Sequence, residues 1–307
     1  MKFGYNRRSR NLITDCSTAR IFGMKTSYPL LDPQSPEAGW PRGRSALGMM
    51  IKVPRAGASK TRLVSPLTPE EAARLSVAFL RDTAENMADA CAEHADGAVH
   101  AVAVYTPAGA EGAFAGLLPA GFSLLAQRGD SFGERLSHAA ADLLRLGYES
   151  CCLIDSDSPT LPRARLSAAV AELRRPGDRL VLGPADDGGY YLIGLKRAHP
   201  RLFEEIAWST ADVLTRTIER ARETALEVKL LPAWYDVDDA STLRRLYDEL
   251  FDGHGGDDAT GANHASCHAA YHAPHTRAEL ARLFDAEGLA RLLNSSRGAR
   301  ARGEGGG

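Results

Sequence analysis

Between residues 46 and 252, short apolar runs alternate with amphipathic stretches of helical period, and a chain written that way has few ways to fold. Strand-like runs fall at 46–53, 98–105, 122–127, 150–154, 180–183, 190–195 and 226–231. Helical patterns separate most of them, at about 68–91, 131–146, 162–173, 209–224 and 240–251. Thr68 and Pro69 form a helix start, with Glu70 and Glu71 in the first turn, where carboxylates suit the helix dipole. Ser209 or Thr210 is the expected cap of the fourth helix, and Gly147 is a stop for the second. Strands alternating with helices of this length make βαβ units, whose right-handed crossovers give a mostly parallel sheet covered on both faces. The expected fold is α/β, a three-layer α/β/α sandwich. Cys151 and Cys152, adjacent in one strand, should face opposite sides of it as small apolar residues.

The flanks have another texture. Residues 1–45 are rich in Arg, Ser and Pro and read as an irregular N-terminal extension; Arg7, Arg8 and Arg10 fit an extended start better than an organelle address, with Met24 and Met49 as other initiation points. Residues 253–307 read as a flexible linker, one amphipathic helix carrying Leu280, Leu283, Phe284, Leu289, Leu292 and Leu293, and a Gly/Arg-rich end. The linker holds His264, Cys267, His268, His272 and His275, but their spacing matches no standard zinc module. With 37 basic and 39 acidic residues, the net charge of −2 argues against nucleic acid or an anionic membrane as the main partner. No apolar run approaches the ~18 residues that span a bilayer. Five irregularly spaced cysteines without a CxxC pair read as reduced thiols of a cytoplasmic protein. The pattern leaves the oligomeric state open.

In open parallel sheets ligands sit beyond the carboxyl ends of the strands, so the residues that follow each strand carry the functional reading. After the first come Lys52, Pro54, Arg55, Gly57, Lys60, Thr61 and Arg62, a cationic loop with one Gly. It suits a di- or triphosphate, or is simply a solvated basic turn. It is not a Walker A loop, because Ser59 stands where a Gly must precede the Lys, and no GxGxxG occurs anywhere. After the fourth strand come Asp155, Ser156 and Asp157. Two carboxylates in one site repel, and a hard divalent cation, Mg²⁺ or Mn²⁺, relieves the repulsion; the alternative is a capped turn before Pro159. After the fifth, Asp187, Gly188 and Gly189 allow close approach of a ligand or form a hairpin turn. After the last, Asp236 and Asp238 share one side of an extended segment and could complete a metal shell with Asp157, unless Asp238 or Asp239 caps the next helix. Together the four segments fit a metal–diphosphate, with a base or sugar along the Gly-rich backbone.

The same residues resemble a known family. Lys52-x-Pro54-x-x-Gly57-x-x-Lys60-Thr61-Arg62-Leu63 is similar to the opening motif of the radical-SAM/selenodomain-associated transferases, type 1. Gln127-Arg128-Gly129, Gly133-Glu134-Arg135-Leu136, 155–162, 183–195, Trp208-Ser209-Thr210 and 234–238 continue the likeness, which covers about Ala46 to Leu250. That family belongs to the nucleotide-diphospho-sugar transferase superfamily with the GT-A fold, is usually labelled glycosyltransferase, and is similar to 2-phospho-L-lactate guanylyltransferase. The resemblance implies phosphate contacts at Lys60 and Arg62, metal contacts at Asp157, Asp236 and Asp238, and substrate approach at Gly188 and Gly189. Asp155 departs from it, since many relatives have Gly there; the extra carboxylate makes a DxD-like segment and a further oxygen donor.

Three functions follow as expectations. The first is metal-dependent glycosyl transfer from a nucleotide sugar to a small-molecule acceptor, with Lys60 and Asp157 in the catalytic machinery and Asp187 as general base. The second is nucleotidyl transfer, in which an NTP loses pyrophosphate; a loop lysine suits a triphosphate. The third is a nucleotide-binding module without turnover. The family label favours the first.

Overall fold

The computed structural model describes residues 28–35, 44–94, 97–252 and 269–284. The apolar runs become seven strands: β1 (Ser45–Lys52), β2 (Val99–Thr106), β3 (Ser123–Ala126), β4 (Ser150–Ile154), β5 (Arg179–Pro184), β6 (Tyr190–Leu195) and β7 (Glu227–Leu230). They form one sheet in the order β3-β2-β1-β4-β6-β5-β7. β1 lies parallel to β2 and β4, β2 to β3, and β5 to β7. β6 is antiparallel to both its neighbours, because β5 returns into it through the turn 185–189, which is too short for a crossover. Of the two sequence alternatives for that segment, a hairpin is what forms.

The helices are α1 (Pro69–Ala92), α2 (Phe132–Arg145), α3 (Arg163–Arg174), α4 (Val213–Glu223), α5 (Ala240–Phe251) and α6 (Pro274–Leu283). Burial divides them into layers. α1 and α3 put Leu80, Met87, Leu166 and Val170 on the face of the sheet that holds Leu47, Met49 and Cys152. α2 covers the other face with Leu136, Ala139 and Leu143 against Val102, Val104 and Cys151, and α4 adds Ala221 to that side. The two adjacent cysteines thus face opposite layers. A third cluster joins the outer side of α1 (Leu75, Phe79) to α5 and α6 through Leu243, Leu246 and Leu280.

Thr68, Ser131 and Asp239 close α1, α2 and α5 with reciprocal capping boxes. The start of α4 corrects the sequence reading. Neither Ser209 nor Thr210 caps it; Ser209 has φ 64° and Thr210 turns its hydroxyl back onto the Ala207 carbonyl at 2.7 Å, so the helix waits until Val213. At the N-terminal side, Leu30 forms a parallel bridge to Leu124 on the outer edge of β3, inside the stretch read as irregular. Of the histidine-bearing linker, His272 precedes α6 and His275 falls in its first turn; His264, Cys267, His268, Leu289, Leu292 and Leu293 lie outside the described residues. Among the described residues, no helix is long and apolar enough to cross a membrane.

Candidate active site

The carboxyl ends of β1, β2 and β4 open into a cleft of about 430 Å³. Lys52 lines it from the end of β1, Lys60, Thr61 and Arg62 from the loop that follows, Asp155, Ser156 and Asp157 from the loop after β4, and Asp238 from the segment before α5. Gln127, Phe132 and Arg135 line it as well. A larger hollow of about 620 Å³ lies at the opposite end of the sheet, beside Tyr28, Arg44, His100 and Ser123, and contains none of the residues selected from the sequence.

The acidic segments meet through the backbone. The Val237 N–H donates to the Asp157 carbonyl at 2.9 Å, and the Asp186 N–H to the Trp234 carbonyl at the same distance. Behind them, the Tyr235 hydroxyl donates to Glu249 and lies 3.3 Å from Thr160 Oγ1, so the segment before α5 is fastened to the loop after β4. Arg245 on α5 stacks over the Tyr235 ring and pairs with Asp186 at 2.7 Å, tying in the hairpin turn as well.

Lys60 sits at the centre. Its backbone is left-handed (φ 49°) at the entrance to a single 3₁₀ turn, Thr61–Leu63, and its side chain is 6% exposed. The Nζ atom lies 2.9 Å from Asp157 Oδ1, 2.9 Å from Asp238 Oδ1 and 2.7 Å from the Val237 carbonyl. Arg62 approaches the other oxygen of Asp238 at 3.8 Å. Burial works to lower the Lys60 pKa, but the two carboxylates outweigh it and hold the pKa above its ordinary value. The other two carboxylates have no such cation. Burial, and then the charges of Asp157 and Asp236, push Asp155 up to about 8. Burial, and then Asp187 and Asp238, push Asp236 up to about 6. The site therefore carries more negative charge than Lys60 neutralises.

Hard carboxylate oxygens in surplus are the donor chemistry of Mg²⁺ and Mn²⁺, and in that respect the residues fit a divalent cation. Their spacing does not yet close around one. Among the described residues the His/Cys/Asp/Glu group whose ligand atoms all lie within 4.8 Å is Asp82, Glu85 and His275, not Asp157, Asp236 and Asp238. That other group is a helix junction: Asp82 on α1 accepts from the His275 and Thr276 N–H groups at 3.0 and 2.7 Å, capping α6 from outside.

Not every residue chosen from the sequence faces the cleft. The loop after β1 folds on itself: Ala58 and Ser59 donate their N–H groups to the Arg55 carbonyl, Arg55 N–H bonds Ser59 Oγ, and Gly57 takes φ 74° to make the turn. Pro54 and Gly57 shape that loop without lining the cleft. At Gly188 the close approach is by the chain itself: with φ 90°, a Cβ there would stand 2.2 Å from the Ala211 carbonyl oxygen. Asp187 is exposed and accepts from the Gly189 N–H at 2.8 Å, which closes the hairpin turn. Asp155 does line the cleft, and it also caps its own turn, accepting from the Asp157 N–H at 3.0 Å. Sequence reasoning quoted Gln127 and Arg135 as part of the family likeness without giving them a role, and passed over Phe132. Gln127 donates both amide hydrogens to the Ile51 and Val104 carbonyls, at 3.0 and 2.7 Å, and so bolts the ends of β1 and β2 together at the cleft floor. Its place at the end of β3 was the available signal.

Comparison with known proteins bears on the fold. Residues 84–210 match DUF2064, a family of uncharacterised proteins conserved in bacteria. A crystal structure of a candidate nucleotide-diphospho-sugar transferase from Desulfovibrio desulfuricans G20 superposes with a TM-score of 0.64 and 29% identity, covering 82% of this chain and 97% of that one. The fold is that of the nucleotide-diphospho-sugar transferases. CMP:2-keto-3-deoxy-manno-octonic acid synthetase complexed with CTP is similar at a TM-score of 0.44 and 10% identity, over 68% of this chain and 99% of that one. The 4-diphosphocytidyl-2C-methyl-D-erythritol synthase of Anaerococcus prevotii DSM 20548 is similar at 0.43 and 8% identity, over 68% and 96%. No curated protein matches the sequence. In a nucleotide-diphospho-sugar transferase fold, the cleft just described lies where open α/β sheets take their ligands, outside the carboxyl ends of the strands.

Proposed function

We propose that the protein is a divalent-metal-dependent transferase that takes a nucleotide-activated donor, with glycosyl transfer from a nucleotide sugar to a small-molecule acceptor as its reaction. One observation carries this: the cationic loop after β1 and the acidic segments after β4 and before α5 share a single cleft, with Lys60 2.9 Å from both Asp157 and Asp238. The likeness to the candidate transferase of D. desulfuricans supports the class.

On this reading Asp157, Asp236 and Asp238, with Asp155 as a further donor, hold Mg²⁺ or Mn²⁺. The bound ion supplies charge neutralisation for the departing diphosphate. Lys52, Lys60, Thr61 and Arg62 hold the phosphate oxygens, so that negative charge developing on the leaving group meets fixed positive charge. Asp187 stands beside Asp236 on the hairpin turn and is the group to take the proton of an acceptor hydroxyl. A second reading, nucleotidyl transfer with release of pyrophosphate, is favoured by Lys52 at the end of β1 with Lys60 and Arg62 in the loop after it, cations that suit a triphosphate.

A panel of nucleoside triphosphates and nucleotide sugars with Mg²⁺ or Mn²⁺ separates the two. Nucleoside diphosphate released from a sugar donor is the expected product. Pyrophosphate from a triphosphate would select the second reading. Failure of every donor to bind with metal would leave a module without turnover.

A further inference from the structure

We infer that the Lys60 ammonium is the resident counter-ion of this site: it holds Asp157 and Asp238 together until a divalent ion displaces it, and displacement is what frees it to contact phosphate. The inference rests on the reading above and adds to it the order of events at the site.

An ammonium has three hydrogens to donate. In this structure three oxygens surround Nζ, from Asp157, Asp238 and Val237, at 2.9, 2.9 and 2.7 Å. Lys60 in this state has nothing left for a phosphate oxygen, although it stands in the cationic loop. Two like charges so close would otherwise drive their segments apart. The ammonium relieves that repulsion, and the Val237 carbonyl between the two carboxylates fixes its position. A divalent ion bound by Asp157 and Asp238 draws on the same two carboxylates and the same negative charge, so ion and ammonium compete for them.

The lysine has somewhere to go. Thr61 and Arg62, the next two residues, are exposed along the cleft, and Lys52 lies on the same wall. Four methylenes of flexible side chain give Nζ the freedom to swing toward that wall. The left-handed backbone at Lys60, sterically disfavoured for a residue with a Cβ, now aims the side chain into the acidic pair. Metal entry and phosphate contact are then two halves of one exchange. By linkage each must strengthen the other.

Mn²⁺ binding, read by electron paramagnetic resonance or calorimetry in the absence of nucleotide, tests this directly. Lys60→Met should bind Mn²⁺ on the order of tenfold more tightly than the wild type, since the competitor is gone. Lys60→Arg should not gain, because the charge remains. Asp157→Asn in the Lys60→Met background should lose the gain, which places the ion at this site. Equal or weaker binding by Lys60→Met overturns the exchange. If that variant does not fold, the wild type still decides: the ¹⁵N resonance of the buried Lys60 ammonium should shift as Mg²⁺ and nucleotide are added together. An unmoved resonance at saturation also overturns it. Mn²⁺ binding by neither protein, with or without nucleotide, removes the transferase reading itself and the exchange with it. Binding by the wild type in the presence of nucleotide, unimproved in Lys60→Met, removes the exchange alone.

Discussion

At the level of single residues the site is a balance of charge. One buried ammonium pairs with Asp157 and Asp238, while Asp155 in the cleft and Asp236 outside its lining have no such contact, and these two are the carboxylates whose pKa rises. Asp157→Asn should therefore lower turnover about hundredfold or more while leaving the melting curve nearly unchanged, because Lys60 keeps Asp238 and Val237. Steady-state kinetics beside circular dichroism checks both halves; full activity removes Asp157 from the site. Lys60→Ala should weaken nucleotide affinity by about tenfold, read by calorimetry. Gly188 makes a different case. An added Cβ would meet the Ala211 backbone at 2.2 Å in a φ of 90°, so Gly188→Ala should cost about 1–3 kcal/mol. The thermal midpoint should fall by several degrees, and a midpoint that holds would show that Ala211 yields. The residue types were legible in the sequence because chemistry follows strand ends. Their orientation was not: nothing in a Gly-Gly pair says whether a ligand or the N-terminal approach to α4 comes close to it, and nothing in an Asp-x-Asp says which carboxylate caps the turn.

At the scale of elements the sequence was most readable where a helix or strand declares itself by period and cap. Thr68, Ser131 and Asp239 stand at helix starts marked by residue type alone. The start of α4 was misread because Ser209 and Thr210 are good caps by type, whereas the left-handed Ser209 and the Thr210 hydroxyl on the Ala207 carbonyl belong to the turn that precedes the helix. α6 shows why long-range capping escapes a linear reading. It begins at Pro274, after an Ala273 whose side chain can cap nothing, and the acceptor for its first N–H groups is Asp82, far back in the chain. Arg74 adds a pair to Glu279 at 3.0 Å, and Tyr271 donates its N–H to the Thr160 carbonyl, on the loop that carries Asp157. Asp82→Ala should leave the orphan donors of α6 unsatisfied, at a cost of about 1–2 kcal/mol. Hydrogen exchange should then lose protection across 274–283 while α2, on the opposite face of the sheet, keeps its own. Equal loss in both helices would mean that Asp82 supports the whole domain rather than the docking of one element.

For the molecule as a whole, a net charge of −2 conceals a polarised cleft. Cations gather after β1 and acids after β4 and before α5, and the parallel order that sets β1 beside β4 brings the two together at one rim. A nucleotide diphosphate is anionic where the loop is cationic, and a divalent ion is cationic where the acids are in surplus. Neither ligand alone resolves both imbalances: nucleotide alone brings its charge toward unneutralised carboxylates, and metal alone must displace Lys60 without a phosphate to receive it. The two should therefore stabilise the fold together more than the sum of their separate effects. A ligand at about a hundred times its Kd adds about 2.7 kcal/mol, which for a domain of this size raises the melting midpoint by roughly 5–10 °C. Differential scanning fluorimetry with donor alone, Mg²⁺ alone and both should show small shifts for the first two and most of the rise for the third. Because the coupling is reciprocal, the Kd of donor should fall with Mg²⁺ by the same factor as that of Mg²⁺ with donor. Shifts that merely add would mean that the cationic and acidic walls bind their ligands independently, and the shared cleft would lose its meaning as a single site.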